Sequence, residues 1–174
     1  MAGQRMTPEL LWKLGRIGEV AISPDGKQVA YLVTNYDLGE NSGKSDLLLQ
    51  VIAPLPLAAQ LEQHHRSVGF GTALQASEPK SLLKGVKGLN SIGWIQRPEG
   101  ARLIYVAPAL GESPTAQAWM LDPVNPQPKQ ITKLSQDVGN LLASPTGDAI
   151  AFSLDITMDD DVKKVYPDLP KALF

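Results

Sequence analysis

Few residues in this chain have types and spacings that could do chemistry, and each group lacks a partner that its chemistry needs. Gly39-Glu40-Asn41-Ser42-Gly43-Lys44-Ser45 ends like a phosphate-binding loop. That loop needs four residues between its glycines, so that successive backbone N–H groups cradle a phosphate, and a helix must follow. Here three residues separate Gly39 from Gly43, and a strand-like run ending at Pro54 follows. His64-His65 offers two imidazoles, but zinc ligands are spaced so that their side chains converge, and adjacent histidines in a loop do not. Asp159-Asp160-Asp161 offers carboxylates without the alternating oxygens, central glycine and terminal glutamate of a calcium loop. Acids opening a short helix account for that run through the helix dipole.

Covalent catalysis is no better supplied. A serine nucleophile needs an activating base, and the chain holds 2 histidines, the adjacent pair. No G-x-S-x-G elbow occurs, and no Ser-His-Asp set can be assembled. Trp12, Trp94 and Trp119 could line a groove, but tryptophans in strands or in a docking helix read as core. No catalytic, cofactor-binding or metal-ligating residue is assigned, and no cofactor is expected.

The elements are clearer than the chemistry. In Glu19–Tyr36, alternating apolar residues flank Ser23-Pro24-Asp25-Gly26. Val20 and Ile22 lead in, and Val29, Tyr31 and Val33 lead out, with period two, as in a strand with one face on a core. Ala30 and Leu32 are apolar too, so this strand is expected to be covered on both faces. Proline presets the first turn dihedral and Asp-Gly favours a tight reversal. The pattern recurs. Gly26 leads to Val29-Ala30-Tyr31, Gly100 to Leu103-Ile104-Tyr105, and Gly147 to Ile150-Ala151-Phe152. The turn prolines stand at 24, 98 and 145, intervals of 74 and 47 residues. The second interval suits the roughly 40–45 residues of a four-stranded propeller blade. Residues 54–78, read as a surface insertion carrying His64, His65 and Gly69-Phe70-Gly71, make up the difference in the first.

Thr7-Pro8-Glu9 predicts a helix start, with a hydroxyl cap, proline at the first position and an acid in the first turn. The helix is expected to stop near Gly15 and to pack Leu11, Leu14 and Trp12 against the body. Asp37–Lys44 reads as a loop and Ser45–Ala53 as a strand with Leu47, Leu49 and Val51 on one face. Pro79–Lys84 reads as a short outer strand. Leu89–Val106 is a second hairpin, its turn at Gln96–Gly100 read as longer than the first. Gln117–Leu121, a proline-rich turn over Asp122–Pro128, and a return strand Lys129–Leu134 complete four strands. Asp137–Asp155 opens a third unit. In the tail, Met158–Val165 reads as acidic and then helical, ahead of Tyr166-Pro167-Asp168-Leu169-Pro170.

Composition narrows the function. The formal net charge is −2, with no basic cluster, so nucleic acid is not an expected partner. There are no cysteines, which excludes disulfides and thiolate metal sites. The first residues have no apolar core of the kind a signal peptide carries. No apolar run reaches the roughly 18 residues that span a bilayer; the richest, Leu47–Ala59, is broken by Pro54 and Pro56. Propellers need roughly four to eight blades to close, and two blades with part of a third would leave open strand edges. The chain is therefore expected to be a piece of a longer polypeptide.

The run from Met6 to Tyr31, with its Thr-Pro-Glu helix, Arg16-x-x-Glu19 and SPDGK hairpin, resembles the opening of the prolyl oligopeptidase family of serine peptidases. Val165–Ala172, VYPDLPKA, is similar to a segment those proteins carry after their early blades. Residues 54–78 depart from the pattern. The resemblance is to bacterial dipeptidyl-peptidase-V-like and acylaminoacyl-peptidase-like members. It implies a propeller that gates access for short peptides, ahead of a C-terminal α/β-hydrolase domain that holds the catalytic triad. No catalytic residue carries over onto this chain, and the parent is expected to be periplasmic or secreted. The expected fold is all-β, a partial β-propeller of about two four-stranded blades plus the start of a third, with a short N-terminal helix. The expected divisions are 1–18 helix and lead-in, 19–88 first blade, 89–136 second blade, and 137–174 start of a third blade and tail. The expected partners are the rest of the propeller, the hydrolase domain and the parent's peptide substrates. The alternative is a non-enzymatic propeller that binds protein partners.

Overall fold

In the computed structural model, residues 6–54, 74–109 and 115–154 are described. Among them is one helix, α1 (Pro8–Lys13), built as its sequence dictates. Thr7 caps it, its Oγ1 accepting the Leu10 N–H at 3.2 Å, with Pro8 in the first turn, Glu9 beside it and Lys13 in the last turn. The rest is antiparallel sheet.

The first sheet runs β1 (Arg16–Ile22), β2 (Gln28–Asp37) and β3 (Ser42–Pro54), with β5 (Lys80–Val86) on the far side of β3. A short β4 (Leu74–Ala76) pairs with Ile52–Pro54 at the end of β3. The second is a meander of β6 (Asn90–Arg97), β7 (Gly100–Pro108), β8 (Ala116–Leu121) and β9 (Lys129–Gln130). The third is the pair β10 (Val138–Ala143) and β11 (Ile150–Leu154). Every strand pairing is antiparallel.

The first and third lead hairpins share one register, and in all three the residue three after the turn glycine is paired on the lead strand. Ile22 pairs with Val29, Trp94 with Leu103 and Ala143 with Ile150, each partner three residues after the turn glycine. Each lead strand carries a bulge that sets two residues against one, at Ile17/Val20, Asn90/Gly93 and Gly139/Leu142. All three turn glycines have positive φ: 69° at Gly26, 117° at Gly100 and 75° at Gly147. The first and third turns use one hydrogen-bond scheme. Ser23 Oγ accepts the Gln28 N–H at 2.9 Å and Ser144 Oγ the Ala149 N–H at 3.1 Å; each hydroxyl donates to an aspartate, Asp25 or Asp148. The second turn lacks the serine and is shorter than its sequence suggested. Arg97 pairs directly with Gly100 across Pro98-Glu99, whereas the first hairpin closes its last ladder pair at Ile22–Val29.

Two apolar layers hold the sheets together. Between the first and second lie Ala30, Leu32, Leu47 and Leu49 against Leu103, Tyr105, Ala107 and Leu121. Between the second and third lie Ile95, Ile104, Val106 and Ala118 against Val138 and Leu141, with Ile150 and Phe152 packed on them. The second sheet is thus covered on both faces, and each fully buried aliphatic side chain contributes about 1.5–3 kcal/mol of transfer free energy.

The first sheet departs from expectation. Its core face is Ala30 and Leu32, 0% and 4% exposed, while Val29, Tyr31 and Val33 are half-buried. Val20 and Ile22 are 58% and 63% exposed. The cause is that only one side of this sheet meets another sheet among the described residues. Leu47 and Leu49 are core, but Val51, near the strand end, is exposed. Leu11, Leu14 and Trp12 of the helix region are exposed rather than docked in a core; α1 instead touches β2. β2 and β3 extend through much of the expected 37–44 loop, leaving the turn at residues 38–41. The expected outer strand at 79–84 is β5. The expected return strand at 129–134 pairs only over Lys129–Gln130, because the Thr132 hydroxyl takes the Ala118 N–H at 2.8 Å. Most of the 54–78 insertion, with His64, His65 and Gly69–Gly71, and the 158–174 tail lie outside the described residues.

Candidate functional site

The Gly39–Ser45 segment is a hairpin end, not an anion cradle. The Asp37 carboxylate accepts the N–H groups of Gly39 at 2.7 Å and Glu40 at 3.1 Å, the donors a phosphate would need. These bonds hold its carboxyl below the usual carboxylate range. Lys44 is drawn to Glu40 at 3.1 Å, and Lys87 approaches the same carboxylate at 3.8 Å. Both pairs are surface contacts and contribute little.

The tryptophans divide. Trp94 and Trp119 pack on the layer between the first two sheets, as core reading predicts. Each indole N–H donates to a carbonyl, Trp94 to Ala21 and Trp119 to Ala107, both at 3.1 Å. Trp12 is exposed and meets Tyr36 edge-on at 5.9 Å between ring centroids. The Arg16 guanidinium lies 4.7 Å from the Trp12 ring centroid and 5.0 Å from that of Tyr36, a cation held between two aromatic faces. An open cleft of about 460 Å³ adjoins this cluster, lined by Trp12, Asn35, Tyr36, Asp37 and Lys44 among others.

Sequence reasoning missed the polar contacts that fix one sheet against the next. The Glu19 carboxylate accepts the N–H groups of Ser91 at 2.9 Å and Ile92 at 2.8 Å, in the bulge of β6. Ser91 stands at φ 52°, so the bulge aims both donors at one acceptor. Lys80 Nζ donates to the Pro123 carbonyl at 3.0 Å, tying β5 to the turn of the second sheet. Gln117, 1% exposed, donates through Nε2 to Thr115 Oγ1 and to the carbonyls of Leu134 and Gln136; its Oε1 accepts from Thr132 Oγ1 and the Leu134 N–H. That one amide fastens the link from β9 to β10 onto β8. The sequence signals were a polar residue in an apolar strand, for Gln117, and an acid on the lead strand, for Glu19.

Among the described residues no group of histidine, cysteine and carboxylate side chains could hold a metal ion, and no helix is long and apolar enough to cross a membrane. His64, His65 and Asp159–Asp161 lie outside the described residues. What the described residues form is a scaffold: repeated antiparallel sheets stacked face to face through apolar layers and pinned by a few polar contacts.

Among the described residues this defines an all-β arrangement of antiparallel sheets with one short helix. The chain's sequence is similar to two curated proteins named dipeptidyl-peptidase 5. It is 28% identical to that of Porphyromonas endodontalis over 166 residues, covering 95% of this chain and 20% of that protein. It is 25% identical to that of Porphyromonas gingivalis over 170 residues, covering 98% of this chain and 21% of that protein. The chain spans about a fifth of the length of these relatives. No family model matches it.

Proposed function

We propose that this chain is a non-catalytic part of the propeller of a serine peptidase of the dipeptidyl-peptidase type, within the prolyl oligopeptidase family. Residues 19–88 and 89–136 are its first two blades, and residues 137–174 begin a third. The observation that carries the reading is the facing pattern of residues counted from the three turn glycines, which repeats at both junctions between sheets. At each of the two junctions between sheets, residues at +4 and +6 from the turn glycine of one sheet face those at +3 and +5 of the next. In keeping with it, β6 packs against β1 on one side and β10 on the other, as the inner strands of consecutive blades do. The likeness to dipeptidyl-peptidase 5 over nearly the whole chain supports the activity class proposed.

In this reading the blades form part of a wall that limits entry to short peptides. Chemistry is acyl transfer from the peptide to a serine in a hydrolase domain elsewhere in the parent, with release of the amine product, and then from that serine to water. The test is hydrolysis of dipeptidyl chromogenic substrates. The purified 174-residue chain is expected to release no chromophore, and the complete polypeptide of the gene to release it and to be silenced by a serine-directed phosphonate. Turnover by the 174-residue chain alone, or a complete polypeptide with more blades and no nucleophile elbow, would contradict the proposal. The latter result would favour a module that binds protein partners.

A further inference from the structure

We propose that Asn41 is a site of covalent modification, where the chain deamidates through a cyclic imide to aspartate and isoaspartate. The inference is independent of the peptidase reading. Asparagine is a thermolabile residue. In its deamidation the backbone nitrogen of the next residue gives up its proton and bonds to the asparagine Cγ. The Cγ–Nδ2 bond breaks and that nitrogen leaves as ammonia. Water then opens the imide at either of its two ring C–N bonds, giving aspartate or isoaspartate. The reaction therefore needs a loose side-chain amide, a small following residue and an N–H that is free to lose its proton.

The asparagines are Asn35, Asn41, Asn90, Asn125 and Asn140. Pro126 follows Asn125 and has no N–H. Tyr36 follows Asn35 and Leu141 follows Asn140, both bulky, and the Asn140 amide also donates to Ser153 Oγ at 3.0 Å. Asn41 and Asn90 are each followed by serine, so their local chemistry is matched and the fold decides between them.

Asn90 is restrained at the atoms the reaction uses. It is half-buried, and its Nδ2 donates to the Gly88 carbonyl at 2.9 Å. The Ser91 N–H, the attacking group, is held by the Glu19 carboxylate at 2.9 Å. A carboxylate bound to that N–H opposes loss of its proton. Asn41 is exposed in the turn between β2 and β3, at φ 45°, a left-handed position that asparagine tolerates. Its side chain makes no hydrogen bond among the described residues. Ser42 stands against Asp37 in the last ladder pair of the hairpin, so opening of that one terminal pair frees its N–H.

Conversion adds a carboxylate to a turn that already carries Asp37 and Glu40, and isoaspartate also lengthens the main chain by a methylene between Glu40 and Ser42. Gly39 and Ser42 line the open cleft, so its rim changes in charge and shape.

The test ages the complete polypeptide of the gene at mildly alkaline pH. Peptide-resolved mass spectrometry follows each asparagine, with electron-transfer fragmentation to distinguish isoaspartate. In the folded protein Asn41 is expected to convert about tenfold faster than Asn90. In denaturant the two are expected to convert at similar rates. Equal conversion in the folded protein overturns the inference, as does a preference of the same size that survives in denaturant. Aspartate formed without isoaspartate also overturns it, because direct hydrolysis bypasses the imide. Glu19→Ala frees the Ser91 N–H and is expected to speed Asn90 severalfold while Asn41 keeps its rate. An Asn90 rate that does not move overturns the protection assigned to Glu19. The main comparison uses the unaltered protein, so it decides the matter even where Glu19→Ala does not fold.

Discussion

The Glu19 carboxylate accepts the backbone N–H of Ser91 at 2.9 Å across 72 residues of sequence, and that of Ile92 beside it at 2.8 Å. The bond joins the lead strands of two sheets at a bulge, where the β6 N–H groups have left their ladder. Glu19→Ala removes the acceptor of both. The expected loss is about 1–2 kcal/mol, since hydrogen bonds to charged groups are worth about 1.5–3 kcal/mol and this one is exposed to water. Glu19→Gln, which keeps one neutral acceptor, should lose about half as much. Urea midpoints of the three proteins decide it, and no change in Glu19→Ala would show that the contact does not order the junction.

Gly26 and Gly147 occupy equivalent turns at φ 69° and 75°, yet their surroundings differ. A Cβ on Gly26 meets nothing within 4 Å, whereas one on Gly147 would collide with the Gln96 carbonyl oxygen. Gly26→Ala should cost about 1–2 kcal/mol, from backbone strain alone. Gly147→Ala should cost clearly more, since the third turn must back away from the second sheet. Thermal melts of the pair test this, and equal losses would mean that the two sheets do not approach closely at that point.

Gln117→Leu keeps the volume but removes the amide. It leaves the Leu134 N–H and the Leu134 and Gln136 carbonyls without it. The expected cost is about 2–3 kcal/mol. Amide exchange over residues 131–138 should rise more than over β6 and β7, because only the link to β10 loses its fastening.

Stability should fall at both ends of the pH scale, for different reasons. Asp25 and Asp148 are held below the usual carboxylate range, chiefly by hydroxyl donors: Ser23 for Asp25, and Thr146 then Ser144 for Asp148. Their contribution is present above the unfolded value of about 3.9 and is lost as pH falls through the lower folded value. Burial pushes the Tyr105 hydroxyl up to about 12. Here the folded chain keeps a proton that the unfolded chain gives up near pH 10, so stability declines between about 10 and 12. Tyr105→Phe should flatten that alkaline limb and leave the acid limb unchanged in denaturation curves taken across pH.

Local signals in the sequence reached the elements but not the side on which each was covered. Thr7-Pro8-Glu9 and the recurring Pro-x-Gly turns are short-range chemistry, and the cap and hairpins stand where they point. Whether Val29 or Ala30 faces the core depends on which neighbour covers the sheet, and in the first sheet both faces are apolar. The brevity of the Pro98-Glu99 turn, the Thr132 hydroxyl that ends the β9 ladder and the Glu19 contact all depend on partners distant in sequence. The contacts of Gln117 have no motif and emerge only from packing.

The most direct measurement is an experimental structure of the complete polypeptide, by crystallography or electron cryo-microscopy. The account predicts the sheets led by β1, β6 and β10 as consecutive sectors around one axis, with those strands innermost and a further sheet on Val29, Tyr31 and Val33. Sheets that do not share an axis, or that pack with the helix into a closed core of their own, would contradict it.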